Sequence, residues 1–108
     1  MNAINVEEGL NRVVNNVTIY KRLLKNFSGR KLVSEIIDNV NNNDFSAAAT
    51  SCHALKGVAA NLAMHPLADV TARIEKTLKA SQNPSSLLDE LQESITQVES
   101  AIEEITAE

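Results

Sequence analysis

The segment from residue 52 to residue 57, Cys-His-Ala-Leu-Lys-Gly, places an imidazole, an ammonium group and a glycine within about one and a half turns of a predicted helix. A neutral imidazole is a nucleophile at pH 7, and a nearby cation offsets the charge on phosphoryl oxygens. His53 with Lys56 three residues later therefore suits nucleophilic attack on an activated phosphoryl group. A histidine on a helix is in general more often a surface or packing residue, so the surroundings of His53 decide between these roles.

The helix that carries His53 is predicted to turn this side chain away from its buried face. At about 100° per residue, Leu55 and Leu62 lie roughly 160° and 180° away from His53. The side chains on the same face as His53 are all small, which leaves a flat surface open to another protein's active site. This candidate docking surface consists of Ser46, Ala49, Thr50, Gly57 and Ala60.

Two neighbouring positions affect the imidazole directly. Gly57, at i+4, has no side chain with which to cover the ring, and Lys56, at i+3, leans back toward it. Glycine in a helix interior costs about 0.5–1 kcal/mol relative to alanine. Gly57 is therefore expected to give a partner access to the ring, with close helix packing as the alternative explanation.

The first part of the chain predicts a short helix and an interrupted longer one. Asn5 followed by Glu8 marks a helix start. From Val17 two helical apolar stripes follow, and their phases differ by about half a turn. This phase difference predicts a break near Gly29, or one helix whose two halves face different neighbours.

The second part of the chain predicts three long helices. Asp44 is a good N-cap for the helix that carries His53, which we expect to extend to Met64. Pro66 fits the first turn of the next helix, which extends to about Ala80. The last helix has apolar residues at alternating spacings of three and four, as the seam of a helix bundle requires. These residues are Leu88, Leu91, Ile95, Val98, Ile102 and Ile105.

We therefore predict an all-α protein, an antiparallel up-down four-helix bundle with a short additional N-terminal helix across one end. The length of 108 residues fits one domain, residues 1–108, around one core. Apolar residues make up 44% of the chain and aromatic residues only 3%, a composition that suits close packing of helices.

The composition excludes several functions. A net charge of −4 has the wrong sign for a broad nucleic-acid-binding surface. Three scattered glycines leave no Gly-rich phosphate loop, so any phosphoryl donor must bring its own metal and leaving group. No segment has the apolar length that spans a bilayer, and none looks like a secretion signal. We therefore expect a cytoplasmic protein without membrane contact. We also expect a monomer.

The single cysteine and the second histidine are given structural roles. Cys52 points toward the apolar side of its helix and is predicted to be a small core residue. His65 precedes Pro66 at a helix junction and is predicted to be a loop or cap residue. The spacing of the two histidines supports no metal site.

Residues along most of the chain resemble one known family. His53-Ala54-Leu55-Lys56-Gly57, followed by Ala59, Asn61, Leu67 and Ile74-Glu75, is similar to the histidine-containing phosphotransfer (HPt) domain of multistep two-component phosphorelays. The opening segment at residues 6–12, with Tyr20 and Phe27 downstream, is similar to the start of that family. The chain departs from the family at Ala63, where a second glycine is usual, and at Ser28-Gly29, where the family has a long continuous helix.

The resemblance implies a four-helix bundle in which Nε2 of His53 carries a phosphoryl group and exchanges it with the aspartate of response-regulator receiver domains. Lys56 matches the lysine that supports the phosphate, and Glu75 stands where members carry Gln or Glu, so it is the candidate to orient the ring. A sensor histidine kinase and receivers are the implied partners. No cofactor is expected on this domain, because Mg belongs to the partner receiver.

Under this interpretation the chain is a phosphoryl carrier without autonomous kinase activity, either on its own or as a domain of a larger sensor histidine kinase. The alternative is a non-catalytic helical adaptor or degenerate HPt-like domain that binds partners without being phosphorylated. A small metal-binding bundle is a third hypothesis. Glu75 is a surface carboxylate unless its helix presents it beside His53.

Overall fold

The computed structural model describes residues 3–107, and within this range the regular secondary structure consists of helices, with no strand. The helices are α1 (Val6–Arg12), α2 (Val17–Lys25), α3 (Gly29–Asn41), α4 (Phe45–Asn61), α5 (His65–Lys79) and α6 (Leu88–Thr106), with a 3-10 turn (Ser85–Leu87) directly before α6. None of the helices in this range combines the length and the apolarity needed to cross a membrane.

Helices α3 to α6 form the four-helix bundle, and α4 packs between α3 and α5. Helix α6 completes the bundle by packing against α5 and α3. Each of the four contributes fully buried apolar side chains, including Ile36, Leu55, Ile74 and Ile95. The predicted all-α bundle with a short N-terminal helix is thus confirmed, and burial of these side chains is its main source of stability.

The break predicted near Gly29 is also confirmed. Helix α2 ends at Lys25 and α3 begins at Gly29; α2 packs against α6, whereas α3 packs against both α4 and α6. A β-carbon at Gly29 would collide with the ring of Phe27 and lie 2.9 Å from Cδ1 of Ile95. The two phase-shifted stripes therefore have different neighbours, and glycine permits the close approach where they meet.

Three helix starts are fixed by side-chain caps. At Asn5, Asn16 and Asp44 a side-chain oxygen accepts a hydrogen bond from the backbone N–H three residues later, at 3.1, 3.0 and 3.1 Å. These bonds satisfy N–H groups that have no partner inside the helix. The predicted starts at Asn5 and Asp44 are confirmed.

The prediction that the histidine helix extends to Met64 is wrong, because α4 ends at Asn61. Ala63 has a φ of 59°, in the left-handed region, and this turns the chain out of the helix. The Met64 N–H then bonds the Ala59 carbonyl at 2.8 Å. Met64 is fully buried, so its apolar character reflects the core and not a helical position.

The junction before α5 differs from expectation by one residue. His65 is the first residue of α5, so the prediction that it lies in a loop or cap is wrong, while Pro66 occupies the first turn as predicted. Helix α5 ends at Lys79, next to the predicted end at Ala80.

The turn between α1 and α2 contains a strained residue. Val14 and Asn15 have φ values of 53° and 58°, and β-branched side chains such as valine rarely adopt this conformation. Val14 is also 89% exposed, so its side chain gains little from packing.

Replacing Val14 with glycine should therefore raise the free energy of unfolding by about 1 kcal/mol, because glycine adopts positive φ without steric cost. Urea denaturation followed by circular dichroism measures the change. Val17→Gly is the matched control, since Val17 is also an exposed valine but begins a helix, and this variant should lose about 0.5 kcal/mol. A loss of stability in both variants would contradict the assignment of strain to Val14.

Candidate functional site

His53 lies on the outer face of α4, and its side chain is 78% exposed. The opposite face of the helix carries Ala48, Cys52, Leu55 and Ala59, all fully buried in the core. Burial of this apolar stripe fixes the rotation of the helix, and the rotation places the imidazole in solvent. The predicted outward orientation of His53 is confirmed.

Helix α5 brings a carboxylate to the inner side of the imidazole. Oε2 of Glu75 lies 3.5 Å from Nδ1 of His53, within ion-pair distance but longer than a normal hydrogen bond. Glu75 is only 4% exposed, so it is a buried group and not a surface carboxylate. With Nδ1 facing Glu75, Nε2 is the ring nitrogen that makes no polar contact within residues 3–107.

Two lysines neutralise Glu75. Nζ of Lys56 donates a 2.6 Å hydrogen bond to Oε1, and Nζ of Lys79 lies 3.6 Å from Oε2. The hydrogen bond from Lys56 lowers the pKa of Glu75 below its usual value, although burial acts in the opposite direction. The carboxylate is therefore ionised at neutral pH, and Lys56 contacts it directly in addition to lying one turn from His53.

The predicted docking surface is open at four of its five positions. Ser46, Thr50, Gly57 and Ala60 are exposed, whereas Ala49 is half-buried and packs against the core. A β-carbon built on Gly57 meets no atom within 4 Å. Close helix packing therefore does not explain this glycine, and of the two explanations drawn from the sequence only access to the imidazole remains.

Sequence reasoning missed a hollow beside His53 of about 800 Å³. One wall comes from α4, including Ala54 and Val58, and the other from the region of α2, including Leu23 and Phe27. Leu23 is 42% exposed. Leu23 and Phe27 belong to one apolar helical stripe, so the sequence indicates that this face is apolar. The stripe does not reveal which neighbouring helix it faces.

Cys52, next to His53 in sequence, is fully buried as predicted. Burial, with a contribution from the negative charge of Glu75, raises the pKa of its thiol to about 12. A thiol in this state is not a nucleophile at neutral pH, so Cys52 contributes packing to α4 and leaves chemistry to its neighbour.

His65 belongs to a different part of the surface. Its Nε2 lies 3.0 Å from Oε1 of Glu8, which links the start of α5 to α1. This hydrogen bond is the main cause that lowers the pKa of Glu8. Within residues 3–107 no group of three or more histidine, cysteine or acidic side chains is arranged to hold a metal ion.

The comparison with family models supplies the decisive observation. The model described as "Hpt domain" matches residues 27–105, which includes His53 and all of α3, α4 and α5. The chain belongs to the Hpt domain family. No curated protein and no solved structure matches it.

Membership in the Hpt domain family gives the site its general role. Hpt domains take part in phosphotransfer within two-component phosphorelays, where they interact with receiver domains and kinases. Helices α1 and α2 precede the matched residues, so Leu23 in the wall of the hollow lies outside the part of this Hpt domain that matches the family model, whereas Phe27 is the first matched residue.

The charge of Glu75 should make the stability of this Hpt domain depend on pH. Because the pKa of Glu75 is lowered in the folded state, its ionisation stabilises the fold above the unfolded pKa of about 4.5, and this contribution is lost as pH falls through the folded value. Glu75→Gln should cost about 1 kcal/mol at pH 7, and the difference from wild type should shrink below about pH 4.5.

Urea denaturation at pH 7, 5 and 3 measures this difference. Glu93→Gln is the control, since Glu93 is exposed and has no ion pair within the described range 3–107. A stability difference for Glu75→Gln that stays constant from pH 7 to pH 3 would show that its charge is not what stabilises the fold.

Proposed function

We propose that this domain is a phosphorelay carrier in which Nε2 of His53 accepts a phosphoryl group from the aspartyl phosphate of one receiver and passes it to another. The observation that carries this proposal is the orientation of the imidazole, with Nδ1 toward the buried Glu75 and Nε2 away from it, on a side chain that is 78% exposed. A nucleophile of a carrier has to enter another protein's active site, and this arrangement permits entry.

The proposed transfer conserves atoms and charge. The lone pair of Nε2 attacks phosphorus, the bond between phosphorus and the aspartyl oxygen breaks, and its electron pair leaves with the carboxylate. The proton on Nδ1 stays in place, so the ring becomes positively charged. Oε2 of Glu75 lies 3.5 Å from Nδ1, and its negative charge favours the charged ring. Transfer to the second receiver is the reverse of these steps.

Lys56 is proposed to support the phosphoryl oxygens. It lies three residues after His53 on α4, where side chains at i and i+3 are neighbours. In the resting structure its ammonium contacts Glu75 at 2.6 Å, and in this proposal it turns from the carboxylate toward the phosphoryl group during transfer. Lysine suits this movement, because its ammonium is a point charge on a flexible stem.

The hollow beside His53 is the proposed seat of the receiver. Leu23 and Val58 expose apolar surface at its walls, and Gly57 keeps its floor clear of side chains. The receiver is proposed to bring the Mg ion and the aspartate leaving group, and the carrier brings the nucleophile and one ammonium group. A sensor histidine kinase is the proposed source of the phosphoryl group upstream.

Phosphoryl labelling is the direct test of the carrier function. Wild-type protein incubated with a phosphorylated receiver should acquire a phosphate that is labile in acid and stable in base, as expected for phosphohistidine. His53→Gln should acquire none, because amide nitrogen is not a nucleophile. Lys56→Ala should be labelled at least ten-fold more slowly, since loss of a charge that contacts the transferring group costs more than about 1.4 kcal/mol.

His65→Gln is the matched control, because it removes the second histidine, which contacts Glu8 instead of the site. It should be labelled like wild type. If wild-type protein binds several phosphorylated receivers and stays unlabelled by all of them, the domain is a non-catalytic adaptor and the carrier proposal fails.

Gly57→Leu tests whether access to the imidazole matters. A side chain at i+4 leans over the residue at i, so leucine should cover His53 and slow labelling by a receiver at least ten-fold. The fold should tolerate the change and gain about 0.5–1 kcal/mol of stability, because the position is open and leucine favours helix. Unfolding measurements report the stability, and a variant that is stable yet labelled at the wild-type rate would contradict the role given to Gly57.

A further inference from the structure

Glu75 has two lysines around it, one near each oxygen. Lys56 reaches Oε1 from α4 at 2.6 Å, and Lys79 approaches Oε2 from the same helix, four residues later, at 3.6 Å. Nδ1 of His53 shares Oε2 at 3.5 Å. The carboxylate therefore sits among three basic groups, although a single close ammonium ion would balance its charge.

The carrier function proposed above gives the ammonium of Lys56 two tasks. At rest its ammonium holds the buried Glu75, and during transfer the same ammonium is needed at the phosphoryl oxygens. When Lys56 turns away, Glu75 loses its one hydrogen-bonded cation while its side chain remains 6% exposed. A buried carboxylate without a close cation is costly, and this cost opposes the movement of Lys56.

Lys79 is placed to lower this cost, because it can supply a second cation to Glu75. Its side chain is 68% exposed, so it is free to rotate, and its ammonium lies just beyond hydrogen-bond distance of Oε2. Because Glu75 and Lys79 are four residues apart on α5, a change of side-chain rotamer brings them into contact without any movement of the backbone. Lys79 is also near the C-terminal end of α5, where a positive charge is favoured.

We propose that Lys79 is a positioning residue. It balances the negative charge of Glu75 when Lys56 turns from this carboxylate to the phosphoryl group on His53. The inference rests on the proposed carrier function and adds a second lysine to it. Lys79 does not touch the phosphoryl group; it acts by releasing Lys56. A glutamine at position 75 would carry no charge, so no second cation would have to replace Lys56 beside it.

Phosphoramidate, a small phosphoryl donor, tests the inference with the full chain and without a receiver, so effects on partner docking are left out. Labelling of His53 is followed over time at pH 8. Lys79→Met keeps the apolar stem and removes the charge, and it should slow labelling about two- to four-fold, the size expected for a largely exposed pair at i,i+4. Lys79→Arg should restore the wild-type rate.

Two controls separate this role from a general effect of charge or stability. Lys76→Met removes another exposed lysine from the same last turn of α5 and should leave the rate unchanged. In a Glu75→Gln background, Lys79→Met should slow labelling no further, because no carboxylate charge remains to be balanced. A purely structural role of Lys79 would give the same loss in both backgrounds.

The outcomes distinguish the inference from the function on which it rests. Absence of label on wild-type protein from both phosphoramidate and phosphorylated receivers overturns the carrier function and the inference together. Labelling of wild type with an unchanged rate in Lys79→Met, or an equal loss in the Glu75→Gln background, overturns the inference alone. Urea denaturation of each variant shows that the compared proteins are folded.

Discussion

The ionised carboxylate of Glu75, buried between α4 and α5, is the constraint on which the rest of the site depends. Burial would normally raise the pKa of such a group, yet the hydrogen bond from Lys56 lowers it. The charge can be kept in the interior only while cations surround it. The same requirement therefore accounts for the position of Lys56 and for the side of the imidazole that faces Glu75.

A carboxylate at this position has consequences that an amide would not have. It forms an ion pair with Lys56 at rest, so the charge of this ammonium is balanced beside the exposed imidazole. It also lies on the side of the ring where positive charge develops when Nε2 is substituted. In the proposed transfer, the ion pairs at rest and the charged ring are thus two ways of balancing one buried charge.

Much of the fold could be predicted because each helix carries a local signal. The N-caps Asn5 and Asp44, the stripe of α6 and the phase slip at Gly29 depend only on neighbouring residues, and the structure confirms them. The end of α4 could not be predicted in this way. Ala63 adopts a left-handed conformation that its side chain does not favour, and the next residue, Met64, is fully buried in the core.

The part of the site that lies on one helix could be predicted from the sequence, whereas the contacts between helices could not. His53, Lys56 and Gly57 share α4, so helical geometry alone gives their relative positions. Glu75 entered only through the family resemblance, and neither its burial nor the approach of Lys79 was foreseen. Both depend on the depth at which α5 packs against α4, which is a property of the assembled core and not of either segment.

The interruption at Gly29 separates α2 from the helices that carry the residues around the imidazole. His53 and the residues that contact Glu75 all lie after the interruption, on α4 and α5, whereas Leu23 lies before it, on α2. Under the proposed carrier function, substitutions on the exposed face of α2 can therefore accumulate over evolutionary time without disturbing His53. A lineage of such carriers could exchange one receiver for another by varying this single short helix while keeping the residues around the histidine.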